Sequence, residues 1–333
     1  MSSLRDPRRR ILLAATATLL VPALRAQQPR KSARIGIVFN SFRLADVQGD
    51  KPVEPVMREF LAGLREHGWI EGTNIVVERR SAEGKLERLE SIVRELVALP
   101  VDVIVTAGHA ATVAARKVTA TVPIVSSGMT SPVENGLVAS LARPGGNVTG
   151  TVPSFGSETA VKRLELLREL LPAAKRVVYF GTRTADEVPA EVRAAATGIG
   201  LTLVYVDAGL PRLETGLAQA EKERPDALMA VPTVPLYPHQ RAIVAFAART
   251  RLPDIYGFSE AVEAGGLASF GGDTADAWHR VARYVHRILQ GAKPGDLPIE
   301  KTDRYKLLVN RTRARALGIA IPTALAQRAE IVE

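Results

Sequence analysis

The chain has 333 residues, 46% of them hydrophobic, which exceeds the about 100–200 residues of an ordinary domain and can supply two buried cores. It contains no cysteine, which excludes a disulfide framework, a thiolate metal site and a lipid-anchored N-terminal cysteine. The net charge is +9, but the first 26 residues carry five arginines against one aspartate, +4 of that total, leaving +5 on the rest. Later basic residues alternate with acids, as in Arg163, Glu165, Arg168 and Glu169. That pattern predicts a solvated helix face and argues against a nucleic-acid groove.

Residues 1–26 read as a removable export signal: Arg5, Arg8, Arg9 and Arg10, an apolar run from Ile11 to Leu24, then Ala26 before Gln27. The run is shorter than the about 20 residues a bilayer-spanning helix needs, so a cleaved signal and a periplasmic destination are expected. Arg8, Arg9, Arg10, Ile11 and Leu12 resemble a twin-arginine signal, and ordinary unfolded secretion stays equally open.

From Arg34 a strand–helix rhythm begins. RIGIVF (Arg34 to Phe39), a helical stretch from Val53 to His67, NIVVER (Asn74 to Arg79), a second helix from Leu86 to Leu99 and VDVIVTAG (Val101 to Gly108) alternate, and alternation of this kind implies a parallel sheet. VPIVSSG (Val122 to Gly128) and NVTGTV (Asn147 to Val152) extend it. The Ile/Val runs are nearly continuous, as expected of strands covered by helices on both faces.

Val161, Leu164, Leu167, Leu170 and Leu171 recur at helical spacing before Pro172, predicting a packed connecting helix. The rhythm then restarts: KRVVYFG (Lys175 to Gly181), LTLVYVDA (Leu201 to Ala208), DALMAVP (Asp226 to Pro232), DIYGF (Asp254 to Phe258) and LASFG (Leu267 to Gly271). A late helix, Thr274 to Gln290, places Trp278, Val281, Val285 and Ile288 on one stripe, with Gly291 positioned to end it. The expected architecture is α/β, with two Rossmann-like parallel-sheet lobes.

Constellations for catalysis are sparse. No glycine-lysine phosphate loop or GxGxxG is present, so neither a nucleotide nor another cofactor is implied. Gly257-Phe258-Ser259-Glu260-Ala261 falls one glycine short of the GxSxG turn of α/β hydrolases, and His279 and His286 follow it on what reads as a polar helix face. Those two histidines stand about 10.5 Å apart along a helix, too far to share a metal, and His67, His109 and His239 are isolated in sequence, so no metal site is expected.

What remains lies at strand ends. In open parallel sheets ligands bind outside the carboxyl edge, and here those ends are small and polar: Asn40 and Ser41; Gly108 and His109; Ser127, Gly128, Thr130 and Ser131; Thr182; Thr233; and Ser259. A helix beginning near His109 or Ser131 would offer unpaired N–H donors to a carboxylate. Simple helix capping accounts for the same residues. Asp273, at the start of the late helix, could hold a ligand ammonium or cap the helix. Phe42, Tyr205, Tyr237 and Phe258 also fall near strand ends and could stack on a planar ligand.

Several strings resemble one family along nearly the whole chain: RIGIV, GLREHGWIEGTNIVVE, LARPGGNVTG, KRLELLRELLP, EAGGLASFG, RILQGAKPGDLPIE and ALGIAIP. They are similar to the ABC transporter substrate-binding proteins that include tryptophan- and tyrosine-binding members. The resemblance implies a type I periplasmic-binding-protein fold. One lobe would comprise residues 33–152 plus about 272–298 and the other residues 153–271 plus about 299–333, with a hinge at Val152, Gly271 and the strand near Ile299. Two places depart from the family pattern: Ser131-Pro132, where many members carry an aspartate before the proline, and a longer, more charged loop from Asn40 to Pro52. The implied function is capture of a small amino acid or related carboxylate by a monomer for a membrane permease and its ATPase. The alternatives are a two-lobed exported glycosyltransferase or hydrolase, or a ligand-sensing module for a membrane receptor.

Overall fold

The computed structural model describes residues 32–153, 156–182, 188–209, 212–233 and 236–333. The expected signal, residues 1–26, lies outside the described residues. The chain opens with β1 (Ala33–Phe39), α1 (Leu44–Val47), α2 (Pro55–Glu66), β2 (Ile75–Ser81), α3 (Leu89–Ala98), β3 (Val103–Ala107), α4 (His109–Val118), β4 (Ile124–Ser126) and β5 (Val148–Val152). It continues with α5 (Ser157–Leu170), β6 (Arg176–Gly181), α6 (Ala190–Gly198), β7 (Thr202–Asp207), α7 (Leu213–Lys222), β8 (Ala227–Ala230), α8 (Gln240–Arg249), β9 (Asp254–Tyr256), α9 (Glu260–Glu263) and β10 (Ala268–Gly272). The last part holds α10 (Thr274–Leu289), β11 (Glu300–Lys301), β12 (Tyr305–Asn310), α11 (Arg311–Leu317), α12 (Thr323–Ala326) and β13 (Glu330–Val332).

Two sheets result. The first has the order β11-β5-β4-β3-β1-β2 and is parallel throughout; the second has the order β13-β12-β10-β9-β8-β6-β7. Within the second, β12 runs antiparallel to β10. The βα rhythm predicts the parallel strands, since each crossover helix returns the chain to the same edge. It does not reach β12, which enters the second sheet only after α10 and β11 have taken the chain over to the first sheet, so no crossover helix within the second sheet sets its direction.

Alternate residues of each strand feed different cores, as the period of two requires. Val105 packs with Phe60, Trp278 and Val281 on one face of the first sheet, and Ile104 with Leu96 and Ala115 on the other. Val177 and Val178 divide in the same way between Leu164 and Leu167 on one side and Ile243 and Phe246 on the other. Trp278, Val281, Val285 and Ile288 are all buried, as the stripe on the late helix requires.

Two expectations about charged faces are corrected. Arg163 is 1% exposed rather than solvated, and its guanidinium donates to the Phe270 carbonyl at 2.9 Å. Burial lowers its pKa to about 10. His279 and His286 do not face open solvent: α10 lies along α2, where His279 meets Glu59 at 2.9 Å, and His286 accepts from the Trp69 indole at 3.2 Å and stacks on His67. A polar stripe one step off the apolar one faces a neighbouring helix here, which periodicity within α10 cannot report.

The chain passes between the sheets in three places, and these passages adjoin. Thr302 N donates to Val152 O at 3.0 Å, and Asp273 N to Arg304 O at 2.9 Å. Arg280 on α10 ties them together through Asp276 (2.6 Å), Glu300 (3.1 Å) and Asp303 (3.0 Å).

Candidate functional site

Parallel pairing puts the carboxyl ends of β1, β3 and β4 side by side: Phe39 is in register with Ala107, and Thr106 with Ser126. The residues just beyond, Asn40 and Ser41, Gly108 and His109, and Ser127 and Gly128, therefore share one edge. Gly108 carries φ 98°, a conformation that a Cβ disfavours, and so turns the chain from β3 directly into α4 at His109. The helix is anchored by a buried hydroxyl network: Thr112 Oγ1 lies 2.8 Å from both Thr106 Oγ1 and Ser126 Oγ, and donates to Gly108 O.

Thr130 and Ser131 are exposed and lie further out. No helix begins at Ser131: residues 131–137 form successive turns, Ser131 itself has φ 42°, and Asn135 donates its amide to Thr130 O. The anion-binding helix start expected there is thus replaced by a turn, because Pro132 and Gly136 favour turn geometry.

On the second sheet, Phe180, Ala230 and Tyr256 are in register, so the chain just beyond them carries Thr182, Thr233 and Ser259 along another edge. Thr182 packs toward Gly209, on the β7 side. Thr233 opens the turn that carries Tyr237, since its carbonyl accepts from Leu236 N and Tyr237 N. Ser259 Oγ lies 3.3 Å from the carboxylate of its neighbour Glu260, and His279 is held by Glu59 and Glu66, so the hydrolase-like GFSEA string forms no serine–histidine pair with His279.

The two edges meet through aromatic rings. Phe42, beyond β1, contacts Tyr237, beyond β8, with centroids 5.4 Å apart and planes at 75°; Tyr237 contacts Phe258 at 4.8 Å and 80°. Phe39 continues the row to Trp278. Edge-to-face contact is the favoured aromatic geometry, so this row is a packed seam. Tyr205 is not part of it: its ring lies over Gly181 on the edge strand side of the second sheet.

Along these edges polar atoms are buried without a hydrogen-bond partner among the described residues: Asn40 Oδ1, His109 Nδ1, Thr233 Oγ1, His239 Nε2 and Gln240 Oε1. A buried polar atom left unpaired costs about 1–3 kcal/mol, and several on facing strand ends are what a bound polar molecule would satisfy. Burial lowers the pKa of both His109 and His239, since desolvation penalises the charged imidazolium.

Beside the seam an open cavity of about 120 Å³ is bounded by Pro55, Arg58, Ser259, Glu260, Asp273 and Lys306. Two residues singled out in the sequence, Ser259 and Asp273, meet there. Asp273 caps α10, accepting from Asp276 N at 3.2 Å, and its other oxygen pairs with Lys306 Nζ at 3.1 Å. A ligand ammonium at this carboxylate would compete with Lys306, so capping is the role the structure gives it. Asp273→Ala is expected to lower unfolding free energy by about 1 kcal/mol in urea titration; an unchanged midpoint would dismiss the cap. Glu54, Glu260 and Lys306 were not singled out in the sequence. Nothing local marks them, because each gains its surroundings only when distant segments meet.

The family model for ABC transporter substrate binding proteins matches residues 50–333. A tyrosine-binding protein of Clostridioides difficile is 27% identical over 273 residues, covering 80% of this chain and 77% of that protein. A conserved domain protein of Vibrio cholerae, solved by crystallography, is 26% identical with a TM-score of 0.75, covering 91% of this chain and all of that one. An ABC domain from Streptococcus pneumonia in complex with L-Trp is 24% identical, also with a TM-score of 0.75 and the same coverage. The fold is that of the two-lobed type I periplasmic binding proteins.

Proposed function

The chain belongs to the ABC transporter substrate binding protein family, and from that premise we propose that it binds a small amino acid or related carboxylate between its lobes and delivers it to a membrane permease driven by a partner ATPase. In this reading the protein is exported to the periplasm, acts as a monomer and turns nothing over. The lobes are residues 33–152 plus about 272–298 and residues 153–271 plus about 299–333, and they close by rotation about the three adjoining passages between the sheets. The site is formed by Asn40, Ser41, Gly108, His109, Ser127, Gly128, Thr182, Thr233 and Ser259, with Thr130 and Ser131 on its outer lip and Asp273 at the cavity beside it.

The observation that carries this reading is the pair of facing strand-end edges, joined by Phe42 and Tyr237 and lined by buried polar atoms that have no partner among the described residues. Aromatic surface beside hydrogen-bonding groups suits a ligand that is planar at one end and polar at the other. The tyrosine-binding relative supports placing aromatic amino acids first among the candidates.

The test is a thermal-shift panel of amino acids, their deaminated carboxylates and sugars, with calorimetry on each hit. A ligand at 100 times its Kd adds about 2.7 kcal/mol of stability, so a true ligand raises Tm by several degrees. A folded protein that no amino acid or carboxylate stabilises would dismiss the proposed ligand class, and a sugar hit would replace it.

A further inference from the structure

We propose that the edge of the first sheet holds the head group of a free α-amino acid, the carboxylate on the uncapped N-terminus of α4 and the ammonium on the side-chain oxygen of Asn40. Asn40 then makes the protein select amino acids over their deaminated carboxylates. The proposal rests on the ligand reading above and narrows its class.

α4 begins without a cap. Its N-cap is Gly108, which has no side chain to turn back on the helix. The His109, Ala110 and Ala111 N–H groups meet no acceptor among the described residues, and the first to do so is that of Thr112, which donates to Gly108 O at 3.2 Å. The turn is held as it stands, because Thr112 Oγ1 is fixed at 2.8 Å from both Thr106 Oγ1 and Ser126 Oγ. Unpaired N–H donors at the positive end of a ten-residue helix suit a carboxylate.

Asn40 stands beside them. Phe39 is in register with Ala107, so Asn40 comes level with Gly108, where the chain turns into α4. Val38 lies in the same core as Ala111 and Ala115 of α4, whereas Phe39 lies in the opposite core with Phe60 and Trp278. The period of two along the strand returns the Asn40 side chain to the α4 face. Asn40 is 6% exposed, its backbone carbonyl accepts from Gly84 N at 2.9 Å, and its Oδ1 is buried with no hydrogen-bond partner among the described residues. His109, the first residue of α4, adds a buried Nδ1 that has none either.

A row of donors without an acceptor therefore adjoins an acceptor without a donor. The α-amino-carboxylate group supplies both from one carbon atom. A deaminated carboxylate would satisfy the helix and leave Asn40 Oδ1 buried and unpaired, and an amino-acid amide would keep the ammonium and lose the charge that the helix attracts. Asp273, the carboxylate that the sequence offers to an ammonium, is taken up by Lys306 Nζ and Asp276 N, which leaves that role to a neutral amide oxygen. Phe42, two residues past Asn40, opens the aromatic seam, so the ligand's own side chain has ring surface within reach.

The test is calorimetry at neutral pH with L-tyrosine and L-tryptophan, with their deaminated analogues hydroxyphenylpropionate and indolepropionate, and with the two amino-acid amides. A buried acceptor left unpaired corresponds to a loss of about tenfold to hundredfold in affinity, and each deaminated analogue is expected to bind more weakly than its amino acid by about that factor. Asn40→Leu keeps the size of the side chain and removes the amide. It should weaken the amino acid by a similar factor and bind the deaminated analogue at least as well as wild type, so that the preference disappears. Asn40→Asp puts an anionic oxygen in the same place and should keep the preference. Circular dichroism melts accompany the variants, and Asn40→Ala decides the point if Asn40→Leu does not fold. Equal binding of amino acid and deaminated analogue by wild type would overturn the proposal and leave the binding reading standing, as would a preference that survives in the variant lacking the amide. An amino-acid amide that binds as tightly as its acid would overturn the role of α4. A folded protein that binds neither amino acids nor carboxylates would remove the reading and the proposal together.

Discussion

Gly150→Ala is expected to destabilise the fold by about 4 kcal/mol and to cut the soluble yield. Gly150 lies in β5 with φ 132°, in register with Ser126 of β4, and a Cβ built there would sit 2.1 Å from Ser126 O and 2.6 Å from Ser126 N. Both obstructing atoms belong to the backbone of a central strand, so no side chain can rotate away. The backbone strain alone is worth about 1–3 kcal/mol, and overpacking adds a similar amount. Together they reach about 4 kcal/mol, against a total stability of about 5–15 kcal/mol for an ordinary domain. Soluble yield and urea denaturation check this. A variant within about 1 kcal/mol of wild type would mean that β4 and β5 are not held at this separation. The same contact gives a physical reason for a glycine near the end of the LARPGGNVTG string, where the chain must pass against its neighbour before leaving the first sheet.

Tyr237→Ala is expected to weaken binding of an amino-acid ligand by at least tenfold while the protein stays folded. The ring makes the edge-to-face contact with Phe42 between the two edges and a second with Phe258, and its hydroxyl donates to Glu260. An aromatic pair contributes about 0.5–1.5 kcal/mol beyond the area it buries, and the ring's burial in the closed seam adds to that. A loss of about 1.4 kcal/mol from the closed form is tenfold in affinity, provided that ligand binds only that form. Tyr237→Phe keeps the ring and removes the hydroxyl, so it should retain most of the affinity and isolate the part due to Glu260. Calorimetry with the best ligand from the thermal-shift panel reads both. If Tyr237→Ala binds as tightly as wild type, the row of rings is packing with no part in closure. Circular dichroism melts accompany the measurement, so that loss of affinity is not mistaken for loss of fold.

Much of the scaffold was legible because it is local. A strand covered on both faces announces itself as a run of Ile and Val, and a helix as a stripe at 3.6 residues, whatever the rest of the chain does. Hence β1, β3, β6 and β7 fall where the runs predict, and α10 buries Trp278, Val281, Val285 and Ile288. The strand-end candidates follow from the same logic, since parallel pairing forces Asn40, Gly108 and Ser127 onto one edge once the strands are known. The family strings carried the identification further, to a two-lobed binding protein.

The rest was decided by which distant segments meet. Arg163 reads as one more charged residue on a charged helix, and only the Phe270 carbonyl, 107 positions away, makes it a buried one. Asp273 reads as either cap or ligand contact until Lys306 arrives from β12. Phe42, Tyr205, Tyr237 and Phe258 look equivalent in sequence, yet three share a seam and Tyr205 does not, because the order of strands in the second sheet puts β7 at its edge. Period and composition report how a residue sits within its own element. The partners that set Glu260 against the Tyr237 hydroxyl belong to the space between elements, which no stretch of the chain contains.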